Sequence, residues 1–268
     1  MDIIVCVKQV PETSEIGWDP KTGTLLREGA GGILNPTDKN ALEAALQLRE
    51  EHGGHITALS MGPPQAEEAL REALSMGVDR AVLLSDSLLA GADTLSTSYA
   101  LGLAVKKVAR YDLILCGKES SDGMTAQVGP QLAELLNLPQ LTYATEITAN
   151  RNTVRTKQRL EGGFRILETC LPALITVERG INQPRIPPMD SILETYRDRE
   201  VQVWGADELG GDKGHFGLKG SPTQARSVYS KRVKRGQVSI LQGEPDEVAR
   251  KLIGILRQRD LLRGVHGT

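Results

Sequence analysis

The sequence predicts an α/β fold: an open, mainly parallel sheet with helices on both faces, then antiparallel strands and a C-terminal arm ending in a helix. Three observations predict it. Four short apolar, β-branched runs alternate with four stretches of helical apolar spacing between Asp2 and Leu138. Right-handed crossovers then leave little but a parallel sheet covered on both sides. From Thr142 the apolar period changes to two, and an amphipathic stretch runs from about Asp246 to Leu262.

The elements follow in order. "DIIVCVKQV" reads as a fully buried strand. In "NPTDKNALEAALQLREEHGG", Asn35-Pro36 is a turn, Thr37 the expected N-cap, and the closing glycines a helix stop. "HITALSM" is the second strand, and "GPPQAEEALREALSMG" the second helix, with a proline near its first turn, where a missing N–H is harmless. "RAVLLS" and "YDLILCG" are strands three and four. "TLSTSYALGLAVKKVAR" and "TAQVGPQLAELLNL" are the helices that follow them. The stretch from Thr142 to Gly180 turns at Asn150-Arg151-Asn152 and at Gly162-Gly163, so it reads as antiparallel strands returning to the sheet. A proline-rich loop then precedes a short helix. Residues 1–205 are expected to form the α/β domain and residues 206–268 an arm with a terminal helix.

With 40% hydrophobic and 25% charged residues and a net charge of −2, the chain has the make-up of a soluble globular protein. Aromatic residues are only 3%, and balanced charge does not recruit nucleic acid, so "SVYSKRVKRGQ" (227–237) reads as a solvated arm. The three cysteines, Cys6, Cys116 and Cys170, are scattered, which argues against a disulfide framework and for a reducing, cytoplasmic setting. No signal peptide or membrane span is expected.

Open parallel sheets bind ligands beyond the carboxyl ends of their strands, where strand order reverses. Four segments therefore share one expected rim: Lys8 to Pro11, Met61 to Pro64, Gly91 to Thr94, and "GKESSDGMTAQVGPQ" (117–131). In the last, Gly117 allows close backbone approach, Asp122-Gly123 supplies a turn, and Thr125 is placed to cap a helix whose free N–H groups attract phosphate. A structural turn has the same composition, so both readings stand. Lys8 is a rim residue or a solvated lysine, and Asp38 a ligand contact or the charge of its helix N-terminus.

Neither G-x-G-x-x-G after the first strand nor G-x-x-x-x-G-K-[ST] occurs, which removes the usual dinucleotide and triphosphate loops. The four histidines form no H-E-x-x-H, so no metal site is expected. With no nucleophile and base in readable spacing, binding or cofactor-borne redox chemistry remains.

"MDIIVCVKQVPET", "GKESSDGMTAQVGPQ" and "INQPR" with its downstream helix, in that order and spacing, resemble the β subunit of electron-transfer flavoproteins over nearly the whole chain. The resemblance implies a Rossmann-like fold of the adenine-nucleotide alpha-hydrolase type. It also implies pairing with an α subunit that carries FAD, against which the arm and terminal helix pack. "AGADTLSTS", "DGMTAQVGPQ" and "GLKGSPT" (217–223) are similar to the electron-bifurcating group, which holds a second FAD where simpler members hold AMP. Gly123 stands where AMP-only members carry a bulkier acidic residue. Lys118, Glu119, Ser120, Ser121 and Met124 depart from the bifurcating pattern.

The function implied is oxidation of NADH at the β-subunit FAD. One electron goes to the α-subunit FAD, and from there to an acyl-CoA or related dehydrogenase, and the other to ferredoxin. The resemblance places Val7, Lys8, Asn35, Asp38 and Met61 at the adenine and ribose, and Thr125, Ala126, Gln127 and Val128 at the pyrophosphate. Asp93, Thr94 and Thr97 face the remainder of the cofactor, with Gly91, Gly117, Asp122 and Gly123 shaping the loops. Val128 and Met61 read equally as packing residues. Arg185 and Met189, in "NQPRIPPMDS", are placed at the dehydrogenase-docking loop, which also reads as a proline-stiffened connector. The alternatives are a plain electron shuttle holding structural AMP and a nucleotide-sensing module of the universal-stress type.

Overall fold

The computed structural model describes residues 1–12, 31–108, 110–223 and 239–262. The chain divides into two compact units, residues 1–228 and 229–268.

The first unit is an α/β sandwich around a nine-stranded sheet. Its strands are β1 (Ile3–Cys6), β4 (Ile56–Met61), β5 (Arg80–Leu84), β6 (Leu113–Gly117), β7 (Gln140–Ala149), β8 (Thr153–Leu160), β9 (Gly163–Cys170), β10 (Ala173–Val177) and β11 (Val201–Trp204). They lie in the order β11-β5-β4-β1-β6-β10-β7-β8-β9. All pairs from β11 to β7 are parallel, and β7-β8 and β8-β9 are antiparallel. A separate pair, β2 (Gln9–Pro11) with β3 (Gly32–Leu34), is antiparallel.

The helices are α1 (Pro36–His52), α2 (Glu67–Met76), α3 (Thr94–Val108), α4 (Val128–Leu136), α5 (Met189–Asp198) and α6 (Ala206–Leu209). Alternation along β1 feeds two cores. Ile3 and Val5 join the core formed with α1 and α2, while Ile4 and Cys6 join the core formed with α3 and α4. Cys6 and Cys116 are register partners on β1 and β6, and all three cysteines are free thiols.

The alternation of strands and helices predicted to Leu138 is present, and four differences have physical causes. The stretch after Thr142 is not wholly antiparallel: β10 runs parallel between β6 and β7, and its five residues are all buried, as a central strand requires. The first apolar run divides at Val7-Lys8 into β1 and β2. Asn35 rather than Thr37 is the N-cap of α1, because Pro36 takes the first helical position. Thr125 does not cap α4, which starts at Val128 with Gln127 at its N-cap, since Met124 and Ala126 have left-handed φ of 49° and 53°.

Ala206, Leu209 and Phe216 are buried in the core of the first unit, so the division falls beyond Gly205. In the second unit, α7 (Pro245–Gln258) has Pro245 in its first turn, with Asp246 and Glu247 beside it, and no buried residue. The basic stretch at 227–237 lies outside the described residues. Among the described residues no helix is long and apolar enough to cross a membrane.

Candidate nucleotide-binding site

Strand order reverses at β1: the chain proceeds from β1 through β4 to β5 on one side, then resumes with β6 on the other. The crevice expected of such a sheet therefore lies between the carboxyl ends of β1 and β6. One polar network closes around it. The Lys8 backbone N–H donates to Asp38 Oδ2 at 2.9 Å, and Lys8 Nζ reaches both carboxylate oxygens of Asp122 at 2.7 Å. Asn35 Nδ2 donates to Thr37 Oγ1 at 2.9 Å and to the Glu119 carbonyl at 3.0 Å, while its Oδ1 accepts from the Ser121 N–H at 3.2 Å. The Thr37 hydroxyl donates to the same Glu119 carbonyl at 2.6 Å. The loop after β6 is thus sewn to the start of α1 and the end of β1.

Gly117 makes this contact possible. A Cβ there would collide with Asp38 Oδ1 and lie 2.5 Å from Thr37 Oγ1. Its close approach is to α1, which is the structural role of the residue. Burial pushes the Asp38 carboxyl up to about 7, against hydrogen bonds from Asn35 and from the Lys8 and Gly117 amides and the charge of Lys8.

The second wall is built by α3 and α4. Asp93 caps α3: its Oδ1 accepts from the Leu95 and Ser96 N–H groups at 3.0 Å, and its Oδ2 from the Thr223 N–H at 3.0 Å. Burial raises its pKa less than these amides lower it, so it stays below the usual carboxylate range. The Asp93 N–H donates to Ser221 Oγ at 2.8 Å, and Leu218 N–H to the Ala90 carbonyl at 3.0 Å. Gly91, at φ 72°, faces Leu218. The 217–223 segment is thereby fastened to the loop before α3. Thr94 Oγ1 donates to Gln127 Oε1 at 3.1 Å, and Ser98 Oγ lies 3.3 Å from the Val128 carbonyl, which joins the start of α3 to the start of α4.

Between these walls runs Gly123 to Val128. Left-handed Met124 and Ala126 are sparsely populated conformations for side-chain-bearing residues, held here by anchors on both sides. Ala126 in the left-handed region followed by Gln127 at φ −103°, ψ −29° forms the kind of turn that brings consecutive amides to one concave side. The first amides of α4, with no intrahelical acceptor, continue that arc. The backbone suits a diphosphate. Gly123 adds no side chain, and a Cβ there would press on Ser120 Oγ at 3.2 Å. At the end of β4, the wholly buried Ser60 hydroxyl has no hydrogen-bond partner among the described residues.

The structure thus gathers Lys8, Asn35, Asp38, Gly117 and Asp122 into one network. It places Gly91, Asp93, Thr94 and Thr97 on the opposite wall beside Gln127 and Val128. Asn35 and Asp38 are built into the wall, and Asp93 is spent on caps. Val7 is a core residue whose N–H donates to the Leu59 carbonyl, and Met61 packs partly buried at the end of β4. Thr37, Ser98, Glu119 and Ser221 were not singled out as site residues. Only the hydroxyls beside predicted rim positions hinted at the first two.

Arg185 lies apart from the rim. Its guanidinium bonds Glu43 on α1 at 2.8 and 3.0 Å and Glu50 at 2.7 Å, so it secures the proline-rich loop to α1 rather than standing ready for a partner. Met189, at the start of α5, is 68% exposed.

Residues 22–209 match the family model for the electron transfer flavoprotein domain. The chain is 44% identical to electron transfer flavoprotein subunit beta of Clostridium acetobutylicum over 96% of its own length and 98% of that protein. The chain belongs to the electron transfer flavoprotein β-subunit family. It is also similar to subunit CarD of the caffeyl-CoA reductase-Etf complex of Acetobacterium woodii, with 41% identity over 98% of this chain and 100% of that one. Protein FixA of Azorhizobium caulinodans shares 43% identity over 97% and 95% of the two chains.

Proposed function

We propose that this flavoprotein chain is the β subunit of a heterodimer with an FAD-carrying α subunit, and that its own rim holds a second FAD. The observation that carries the reading is the arc from Gly123 to Val128, held in left-handed turns at Met124 and Ala126 between two hydrogen-bonded walls. Thr125 to Val128 offer amides to the diphosphate. Lys8 and Met61, at the ends of β1 and β4, border the adenine and ribose side, while Asn35 and Asp38 fix the wall behind it. Thr94 and Thr97, at the start of α3, border the rest of the molecule. When bound, FAD supplies acceptance of a hydride from NADH and release of electrons one at a time. The chain's own task is to orient, to exclude water and to hold charge nearby.

Acceptors are the α-subunit FAD, leading to an acyl-CoA-type dehydrogenase, and ferredoxin. Support for the dehydrogenase comes from the name of a relative, a subunit of a caffeyl-CoA reductase-Etf complex. A surface of suitable chemistry is available as well. Ile186, Met189, Leu193 and Tyr196 are 90, 68, 60 and 55% exposed, and the last three recur at helical spacing on one face of α5. This face is assigned to the dehydrogenase.

The chain purified with its α partner and denatured should release two FAD and no AMP per heterodimer. One FAD and one AMP would leave a plain electron shuttle instead.

A further inference from the structure

The floor of the crevice between β1 and β6 is a pair of thiols. Cys6 is the last residue of β1, Cys116 is the last but one of β6, and the two stand opposite each other in register. Both turn to the core shared with α3 and α4, and the Cys116 thiol is hydrogen-bonded with Cys6. Neighbouring strands run about 4.8 Å apart, inside the roughly 4.4–6.8 Å between Cα atoms that a disulfide spans. Cys170 is exposed at the end of β9, on the far edge of the sheet, and serves as an internal control. We propose that Cys6 and Cys116 are a reversible redox pair: a peroxide-class oxidant entering the crevice joins them in a disulfide, which distorts the rim and releases the nucleotide held there.

Cys6 keeps 9% of its surface exposed against 5% for Cys116, so an oxidant in the crevice meets Cys6 first. The bond to Cys6 and burial hold the Cys116 thiol well above the usual range, which also leaves the first attack to Cys6. The Cys6 sulfur gives up its proton and attacks one peroxide oxygen. The O–O bond breaks, and the leaving hydroxide takes that proton as water. The Cys116 sulfur then attacks the Cys6 sulfenic acid, the S–O bond breaks, and a second water leaves with the Cys116 proton. Two thiols lose two electrons and one peroxide gains them; excess added thiol reverses the step by exchange. Transient disulfides of this kind are those that occur in a reducing compartment.

The release of ligand rests on the reading of the rim as a nucleotide site. A Cβ on Gly129, in the first turn of α4, would lie 2.6 Å from Thr176 Cγ2 and 3.8 Å from Cys116 Cβ. Gly117, next to Cys116, already presses on Thr37 and Asp38. The starts of α4 and α1 therefore both rest on the stretch of β6 that the new bond draws toward β1, in packing with no spare volume.

The test uses the full chain with its α partner, freed of exchangeable nucleotide and treated with hydrogen peroxide. Free thiols are then alkylated and the digest is read by mass spectrometry, while ADP-ribose binding is measured calorimetrically before and after treatment. The Cys6 and Cys116 peptides should be recovered joined. Affinity for ADP-ribose should fall about tenfold and return with dithiothreitol, which does not reverse other oxidations such as that of methionine. Cys6→Ala and, separately, Cys116→Ala should make the affinity insensitive to peroxide. If neither variant folds, the joined peptide and the reversal in the wild type decide the matter. Separate Cys6 and Cys116 peptides under conditions that oxidise Cys170 would overturn the pair. Joined peptides with unchanged affinity would overturn the release. No ADP-ribose binding to the reduced protein would overturn the rim reading and the release with it, and the joined peptide still decides the pair.

Discussion

The rim at β1 and β6 and the outer face of α5 reverse the ordinary rule of burial in opposite ways. At the rim, polar side chains are inside: Asn35 is 1% exposed and Asp38 6%, and both are engaged by neighbours. On α5, apolar side chains are outside, with Met189 and Leu193 facing solvent. A buried polar network costs free energy unless every member is satisfied, and an exposed apolar face gains nothing until something covers it. The contrast separates two kinds of site: one preformed and rigid, suited to a small anionic ligand, the other open and adaptable, suited to another protein.

The sharpest way to break the contrast is at Gly117. In Gly117→Ala the new methyl would meet Asp38 and Thr37, so the loop after β6 must move away from α1. Co-purified nucleotide should fall to a few per cent of the normal content, while the α5 face keeps its partner affinity. A chromatographic nucleotide count beside a partner-binding assay checks both.

Asp38→Asn is next. The folded carboxyl sits at about 7 against an ordinary 3.8, so the folded state binds more protons than the unfolded one between those values. The contribution of Asp38 is therefore fully present below about pH 4 and lost as pH rises to 7, amounting to roughly 4 kcal/mol over the window. Denaturant midpoints of the wild type should carry this slope, and those of Asp38→Asn should lack it.

On the other side of the comparison, Met189→Ala should weaken dehydrogenase-coupled electron transfer about tenfold, the ~1–2 kcal/mol of an exposed apolar anchor. Nucleotide content should remain normal, and its loss would contradict a docking role. The smallest effect belongs to Ala126→Gly. Relieving the left-handed strain should stabilise the chain by ~1 kcal/mol in thermal unfolding, while the freed arc binds nucleotide several-fold more weakly.

The same contrast explains what was legible in the sequence. Apolar period carried the alternating strands and helices, because each buries a face whose spacing is local. It did not place β10, whose position between β6 and β7 is set by pairing with distant strands. Nor did it find β11 or the β2-β3 pair, which are too short to show a period. The carboxyl-end rule pointed to the loops in which the polar network is found, but not to what each residue does there. Thr125 read as a cap because its composition suits one, whereas the left-handed turns on either side delay α4 to Val128. Asp93 read as facing the cofactor, yet both its oxygens hold backbone amides. The tie of Arg185 to Glu43 joins residues 142 positions apart, which no local pattern encodes. The docking role of Met189 comes from the family resemblance alone, and its exposure at the start of α5 is what the structure adds.

In the proposed function, amides from Thr125 to Val128 receive the diphosphate of an adenine dinucleotide. A density map of the chain assembled with its α partner tests it most directly. The diphosphate should be seated on that arc, with the adenine toward Lys8 and Met61. A map of the assembled pair in which the arc carries no phosphate, or in which the dinucleotide lies elsewhere on the sheet, would contradict it.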